Sequence, residues 1–195
     1  MAELQAEIVT SQRQSLACAK RMYSLHCARE DLTGLSMAKL RGREGARMKK
    51  VYADETARVG VSWDRRAYDP NAYDSSDPIN QAFTSANSAL YGIAHAVIAG
   101  LGFVPALGVV HNGTDHAFVY DIADLYKAEI AIPAAFDAVA SGEMKPGVAV
   151  RRLVRDAVVD KRLMPKMEND LKYVMDVTED PRIQMRNFFS GASSK

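Results

Sequence analysis

The chain has 195 residues, 48% hydrophobic and 25% charged, with a formal net charge of +1 at pH 7. That length suits one domain with a substantial core, and the composition excludes a disordered or fibrous chain. The near-neutral balance also excludes a globally basic nucleic-acid binder, so any phosphate-binding surface must come from local clustering of charge.

Residues 3–30 read as one long amphipathic helix, with Leu4, Ile8, Leu16, Met22 and Leu25 among its apolar positions and His26 near its end. Cys18 and Cys27 would lie roughly 13 Å apart on that helix, too far to pair with each other. Two unpaired thiols point to a reducing, cytoplasmic compartment, and the polar N-terminus reads as no signal peptide. A break at residues 31–34 leads to a second helix, about 36–59, with Ser36 as its N-cap. Within it, LRGREGARMKKVY (residues 40–52) sets one acid, Glu44, among Arg41, Arg43, Arg47, Lys49 and Lys50. Taken alone, Glu44 is a surface acid paired with Arg41 or Arg47 at helical spacing. Gly42 and Gly45 each cost about 1 kcal/mol against Ala inside a helix. They imply close packing on a neighbouring helix or a backbone that approaches DNA or a metal site.

Residues 60–77, GVSWDRRAYDPNAYDSSD, form a polar loop long enough to be functional or mobile. No Asp, Glu, Lys or Arg occurs from Pro78 to Thr114. A spanning helix needs about 20 mostly apolar residues. This run holds Asn80, Gln81, Thr84, Ser85, Asn87, Ser88 and His95, and breaks at Gly100, Gly102 and Pro105. It therefore reads as a central helix, about 78–100, buried on all sides, with His95 structural and no membrane contact.

The stretch GVVHNGTDHAFVYDIADLYK (residues 108–127) carries the most chemistry. His111 ends an apolar run on the lip of an Asn112-Gly113 turn, His116 is exposed near that turn, and a helix begins near Ala117. Asp121 and Asp124, three apart, share one face of that helix. Separately, His111 is a turn cap or a hydrogen-bonded core histidine, Asp121 a helix N-terminal acid, and Asp124 an ion-pair partner of Lys127. Pro133 ends or kinks the helix. Helices at about 147–160 and 162–176 complete a single all-α domain over residues 1–186, and residues 187–195 read as a disordered tail. The segment 151–166 holds Arg151, Arg152, Arg155, Lys161, Arg162 and Lys166 against Asp156 and Asp160. Such basic patches are either phosphate footprints or solvated helix faces. There is no strand alternation, internal repeat, Gly-rich phosphate loop, Cys/His zinc spacing or serine nucleophile motif.

In combination the signals sharpen. An imidazole facing carboxylates is a seat for Mg²⁺ or Mn²⁺, which suit phosphate chemistry. A carboxylate in a basic surround is what such a centre on a phosphodiester backbone needs. Glu44, His111, Asp121 and Asp124 thus suggest metal-dependent chemistry on nucleic acid.

The segments LRGREGARMKKVYA, VSWDRRAYDP, DPINQAFTSANSALYG, GFVPALGVVHNG and FVYDIADLYK resemble, almost continuously, the helical catalytic domain of the CRISPR adaptation integrase. This is the endonuclease/integrase subunit that inserts new spacers into CRISPR arrays. The resemblance covers about residues 1–165, is most specific over 40–130, and is nearest to the E subtype of type I systems, where FVYDIAD carries Asp rather than Glu. It implies an all-α catalytic domain whose metal ligands are Glu44, His111 and Asp124, with Asp121 an additional acid important for activity. It places Lys127 and Tyr91 near the site and Arg151 or Arg152 on DNA, while the basic segments, Arg41 and Arg47 included, would hold the phosphate backbone. The implied reaction is transesterification by a DNA 3′-hydroxyl at a repeat boundary, with Mg²⁺ or Mn²⁺ as cofactor. The implied partners are double-stranded DNA (incoming spacer and CRISPR repeat), a small ferredoxin-like CRISPR partner dimer, and a second copy of the chain in a homodimer. Family members begin with a β-rich N-terminal domain that mediates dimerisation, whereas here Met1 leads almost directly into the first catalytic-domain helix, so that domain is expected to be absent. Two rival readings remain: a non-catalytic DNA-binding or assembly subunit, and a plain metal-dependent nuclease.

Overall fold

A computed structural model describes residues 1–27, 30–61, 63 and 77–177. Most of the expected polar loop and the whole expected tail lie outside the described residues. Those described are all-α, with no strand among them.

The first helix is divided. Helix α1 spans Ala2–Thr10 and α2 spans Gln12–Ser24. Between them Ser11 is extended (φ −101°, ψ 111°), and its side chain accepts the Gln14 N–H at 3.4 Å. Thr10 Oγ1 donates to the Ala6 carbonyl at 2.7 Å and Ser15 Oγ to that of Ile8 at 2.9 Å. These hydroxyls satisfy backbone groups locally and so end one helix while starting the next. A continuous helix over 3–30 is therefore wrong, and His26 and Cys27 sit in the turn after α2. Both thiols are free, Cys18 in the core and Cys27 half-buried.

Helix α3 (Met37–Val59) starts where the sequence places it: Ser36 accepts the Lys39 N–H at 3.4 Å, and Gly60 closes the other end at φ +68°. A Cβ on Gly42 or Gly45 would meet nothing within 4 Å, so close helix packing does not explain either glycine. Helix α4 (Pro78–Gly100) is capped by Asp77, which accepts the Asn80 N–H at 2.9 Å ahead of the Pro78 start. It is central, packing against the helices that follow it, but only one side is buried: Phe83, Ala86, Leu90, Ala94 and Ile98 point inward. Gly92, His95, Ala96, Ala99 and Gly100 face solvent. His95 is therefore exposed rather than structural, its ring 5.7 Å from that of His116. No helix among the described residues is long and apolar enough to cross a membrane.

Helix α5 (Ala117–Tyr126) runs through a π-helical turn (Lys127–Ala131) into α6 (Ile132–Ala140). Pro133 neither ends the path nor leaves it regular. It has no N–H to give the preceding turn, and the backbone widens by one residue just before it. Helices α7 (Pro146–Asp160) and α8 (Leu163–Val174) follow, with Arg162 between them in the left-handed region at φ 49°.

Helices α5, α6 and α7 pack around α4, while α2 lies against α3 and α8. Phe83 and Phe136 meet edge-to-face at 5.7 Å, and Tyr52 of α3 joins Phe83 at 5.6 Å, tying α3 to the core. The segment leading to His111 is secured from afar by Gln5, which is fully buried. Its Nε2 donates to the carbonyls of Val104 (3.0 Å) and Leu107 (2.8 Å), and its Oε1 accepts the Val104 N–H at 2.7 Å. Gln5→Ala should lower stability in urea titration by about 2–3 kcal/mol, because it leaves these buried backbone groups unpaired.

Candidate active site

A cleft of about 470 Å³ lies between α2, α3, the turn after Val110 and α5. Glu44, His111, Asp121 and Asp124 all line it, together with Arg41, Tyr23 and His26. Residues from three separate elements are thus gathered at one place.

Asp121 is the innermost, its side chain fully buried. Its Oδ2 accepts the N–H of Val109 (2.5 Å) and Val110 (3.1 Å); its Oδ1 accepts that of His111 at 2.9 Å. The same Oδ1 lies 2.8 Å from His111 Nδ1. A carboxylate already accepting three amide hydrogens accepts this one too, so Nδ1 carries the hydrogen, and in the neutral ring the lone pair then lies on Nε2. Nε2 points to Asp124 Oδ2, 3.9 Å away. The bond to Asp121 raises the His111 pKa above its ordinary value against burial, which lowers it. Asp121 lies in the second turn of α5 and is not a first-turn surface acid. It shares a helical face with Asp124, but the two acids have different surroundings.

The turn also depends on Gly108. A Cβ there would fall on the His111 carbonyl oxygen and 2.8 Å from Ala117 Cβ, so only glycine lets the turn approach the start of α5 so closely.

The other two carboxylates are held by cations three residues on. Glu44 receives Arg47 through Nε at 2.9 Å and Nη2 at 2.6 Å. Asp124 Oδ1, buried, sits 2.5 Å from Lys127 Nζ. Burial is the largest influence on the Lys127 pKa and works to lower it, but the Asp124 carboxylate and Tyr91 together outweigh it and the ammonium is held above its ordinary value. Its Nζ also lies 5.1 Å from the centroid of Tyr91, whose ring meets that of Tyr120 at a tilt with centroids 4.9 Å apart. The ion pairs read from spacing are present, and they coexist with the cleft.

The donor set, one imidazole nitrogen and two carboxylates, has the chemistry for Mg²⁺ or Mn²⁺, and the Asp121–His111 bond supplies the outer support typical of metal-bound histidine. Among the described residues no three His, Cys, Asp or Glu side chains close on one point. The reason is visible: each carboxylate is drawn toward its own cation.

Arg41 donates to the Val110 carbonyl and reaches the cleft. Arg151 and Arg152 lie exposed on α7, where Arg152 pairs with Glu143. Arg155, Lys161 and Lys166 pair with Asp156, Glu129 and Asp170. Much of this basic segment is locally neutralised, and Arg151 and Arg162 make no ion pair among the described residues. Sequence reasoning missed Gln5, Gly108, Tyr23 and His26. Burial pushes the Tyr23 hydroxyl up to about 12 and lowers the His26 pKa. The available signal was polar tips three apart, Tyr23 and His26, at the end of an otherwise apolar helix face.

Asp121→Asn turns an amide NH₂ toward groups that are themselves donors. It should cost about 3 kcal/mol in chemical denaturation. In ¹⁵N spectra of the His111 ring it should populate the Nε2–H tautomer. A variant matching the parent in stability and tautomer would show that Asp121 does not hold the ring.

A family profile described as "CRISPR associated protein Cas1" matches residues 3–160. The "CRISPR-associated endonuclease Cas1" of Clostridium sp. (strain SY8519) is 40% identical over 185 residues, covering 94% of this chain and 62% of that protein. "CRISPR-associated endonuclease Cas1 2" of Thermus thermophilus is 43% identical over 156 residues, covering 80% and 48%. This chain therefore spans only about half to three-fifths of the length of these relatives. The solved structure described as a TtCas1–DNA complex superposes with a TM-score of 0.82 at 40% identity, over 89% of this chain and 65% of that one. With its helical architecture and its sequence both matched over most of its length, the chain belongs to the CRISPR-associated Cas1 family.

Proposed function

We propose that this chain is the helical catalytic part of a metal-dependent DNA endonuclease/integrase of CRISPR spacer acquisition, joining 3′-hydroxyl DNA ends to a CRISPR repeat by transesterification. The observation that carries the reading is the meeting of Glu44, His111 and Asp124 in one open cleft, with His111 Nε2 turned toward Asp124. The names of the relatives support the endonuclease half of the reading, and the DNA-bound structural neighbour supports the substrate class.

Glu44, His111 and Asp124 would hold Mg²⁺ or Mn²⁺, which supplies Lewis-acid polarisation of a phosphodiester and lowers the pKa of an attacking hydroxyl. The remaining work belongs to the chain. Asp121 is a positioning residue that fixes the imidazole in its tautomer and orientation. Arg41 and Lys127 place positive charge at the cleft, and Arg151 presents it on α7 for the DNA backbone. Phosphate contacts of this kind make binding salt-dependent and largely sequence-tolerant. Double-stranded DNA, a ferredoxin-like CRISPR partner dimer and a second copy of the chain are the partners this reading assigns, in the cytoplasm.

A branched, half-integrated DNA incubated with the chain and Mn²⁺ tests the proposal. Release and rejoining of strands is expected. Glu44→Ala and His111→Ala should each reduce it on the order of 100-fold while leaving DNA affinity within about 2-fold. Joined strands identify an integrase, shortened strands alone a nuclease, and bound but unchanged DNA a binding subunit. Equal loss of binding in both variants would count against a catalytic role. Arg151→Ala should do the reverse, weakening binding and reducing the slope of log K against log salt by about 1.

A further inference from the structure

Two of the cleft carboxylates, Glu44 and Asp124, share a construction that the proposed reaction does not by itself require. On α3, Glu44 is clasped by Arg47; at the end of α5, Asp124 is paired with Lys127; each cation stands three residues after its acid. Arg47 and Lys127 are largely shielded, with side chains 25% and 20% exposed. Three carboxylates line the cleft (Glu44, Asp121 and Asp124), and three bases line it or touch them (Arg41, Arg47 and Lys127). With a neutral imidazole the charges balance.

A dication added to this balance has a specific cost. Arg47 spans both oxygens of Glu44, one donor to each, and so covers the side of the carboxylate best suited to a second ligand. Lys127 likewise sits on the buried oxygen of Asp124. A cation that takes the carboxylates leaves two shielded bases facing a divalent charge, and unpaired charge in such surroundings is strongly unfavourable. A phosphodiester alone is equally mismatched, since it meets three carboxylates. A dication together with two phosphodiester groups restores the balance, with Glu44 and Asp124 on the cation and the bases on phosphate oxygens. Arg47 has somewhere to turn: it also lines a smaller neighbouring cleft of about 180 Å³ with His26 and Lys166.

We propose that Arg47 and Lys127 are exchangeable counterions, neutralising Glu44 and Asp124 in the free protein and passing to nucleic-acid phosphates when a divalent cation takes those carboxylates. Cation and DNA then bind cooperatively, each raising the affinity of the other by the same factor. Arg47 is accordingly not a simple DNA-contacting residue but the occupant of a ligand. This inference rests on the reading of the cleft as a cation and DNA site.

The test is Mn²⁺ binding followed by electron paramagnetic resonance of the free ion, with and without a duplex oligonucleotide whose own Mn²⁺ uptake is measured separately. His111→Ala defines binding at the cleft. The parent chain should bind Mn²⁺ about 10-fold more tightly with the duplex present. Arg47→Gln with Lys127→Gln should bind Mn²⁺ about 10-fold more tightly than the parent without DNA, and the duplex should then add less than about 2-fold. Arg47→Gln alone should show the same direction, which guards against a folding defect from altering the half-buried Lys127. Cleft-specific binding that neither the duplex nor the substitutions change overturns the inference alone. Weaker Mn²⁺ binding in Arg47→Gln also overturns it, by making Arg47 a support for Glu44. Absence of any binding sensitive to His111→Ala, with or without duplex, overturns the inference and the metal reading together.

Discussion

A carboxylate without solvent needs donors, and Asp121 finds four: the amides of Val109, Val110 and His111 and the His111 ring. Stripping water from an acid is costly, and only several charge-assisted bonds offset it. The converse matters as much for the site. Three consecutive amides aimed at one carboxylate leave the chain at 109–111 little freedom, so the imidazole inherits the rigidity of the core. Gly108 permits the tight approach, and Gln5 fixes the segment just upstream.

Against this fixed nitrogen the other two cleft side chains, Glu44 and Asp124, are loosely held. Glu44 and Asp124 stand on helix faces and are restrained by local ion pairs that a competitor of matching charge can replace. One rigid donor and two adjustable ones suit a site that must take up and release charged species, since the imidazole provides orientation while the carboxylates adapt. The aromatic neighbours add to the rigid side, Tyr91 packing at a tilt on Tyr120 and Tyr120 meeting His111 edge-on at 6.0 Å.

The helical class, the caps at Ser36 and Asp77 and the convergence of Glu44, His111 and Asp124 were legible because caps are local and the resemblance spans these segments. What was misread has physical reasons. The break at Ser11 comes from hydroxyls competing for backbone groups, to which apolar periodicity is blind. Helix α4 reads as wholly buried because Gly92, Ala96 and Ala99 are apolar wherever they face, so composition does not reveal which side meets water. Gln5 acts on residues about a hundred positions away, and no local pattern announces such a contact. Asp121 and Asp124 share a helical face, yet depth rather than direction separates their tasks, and depth is a tertiary property.

The π-helical turn at Lys127–Ala131 has a consequence for how this helix can vary. One additional residue in a helix rotates everything beyond it by about 100°. Upstream, Asp121 and Asp124 are aimed at the cleft; downstream, Ile132 and Phe136 are aimed at the core. The widened turn takes up that rotation and lets one continuous helix serve both directions. Removing a single residue from 127–131 would let this turn close as an ordinary α-turn with both faces kept, whereas the same deletion within α5 or α6 would turn either the cleft face or the core face to the wrong side.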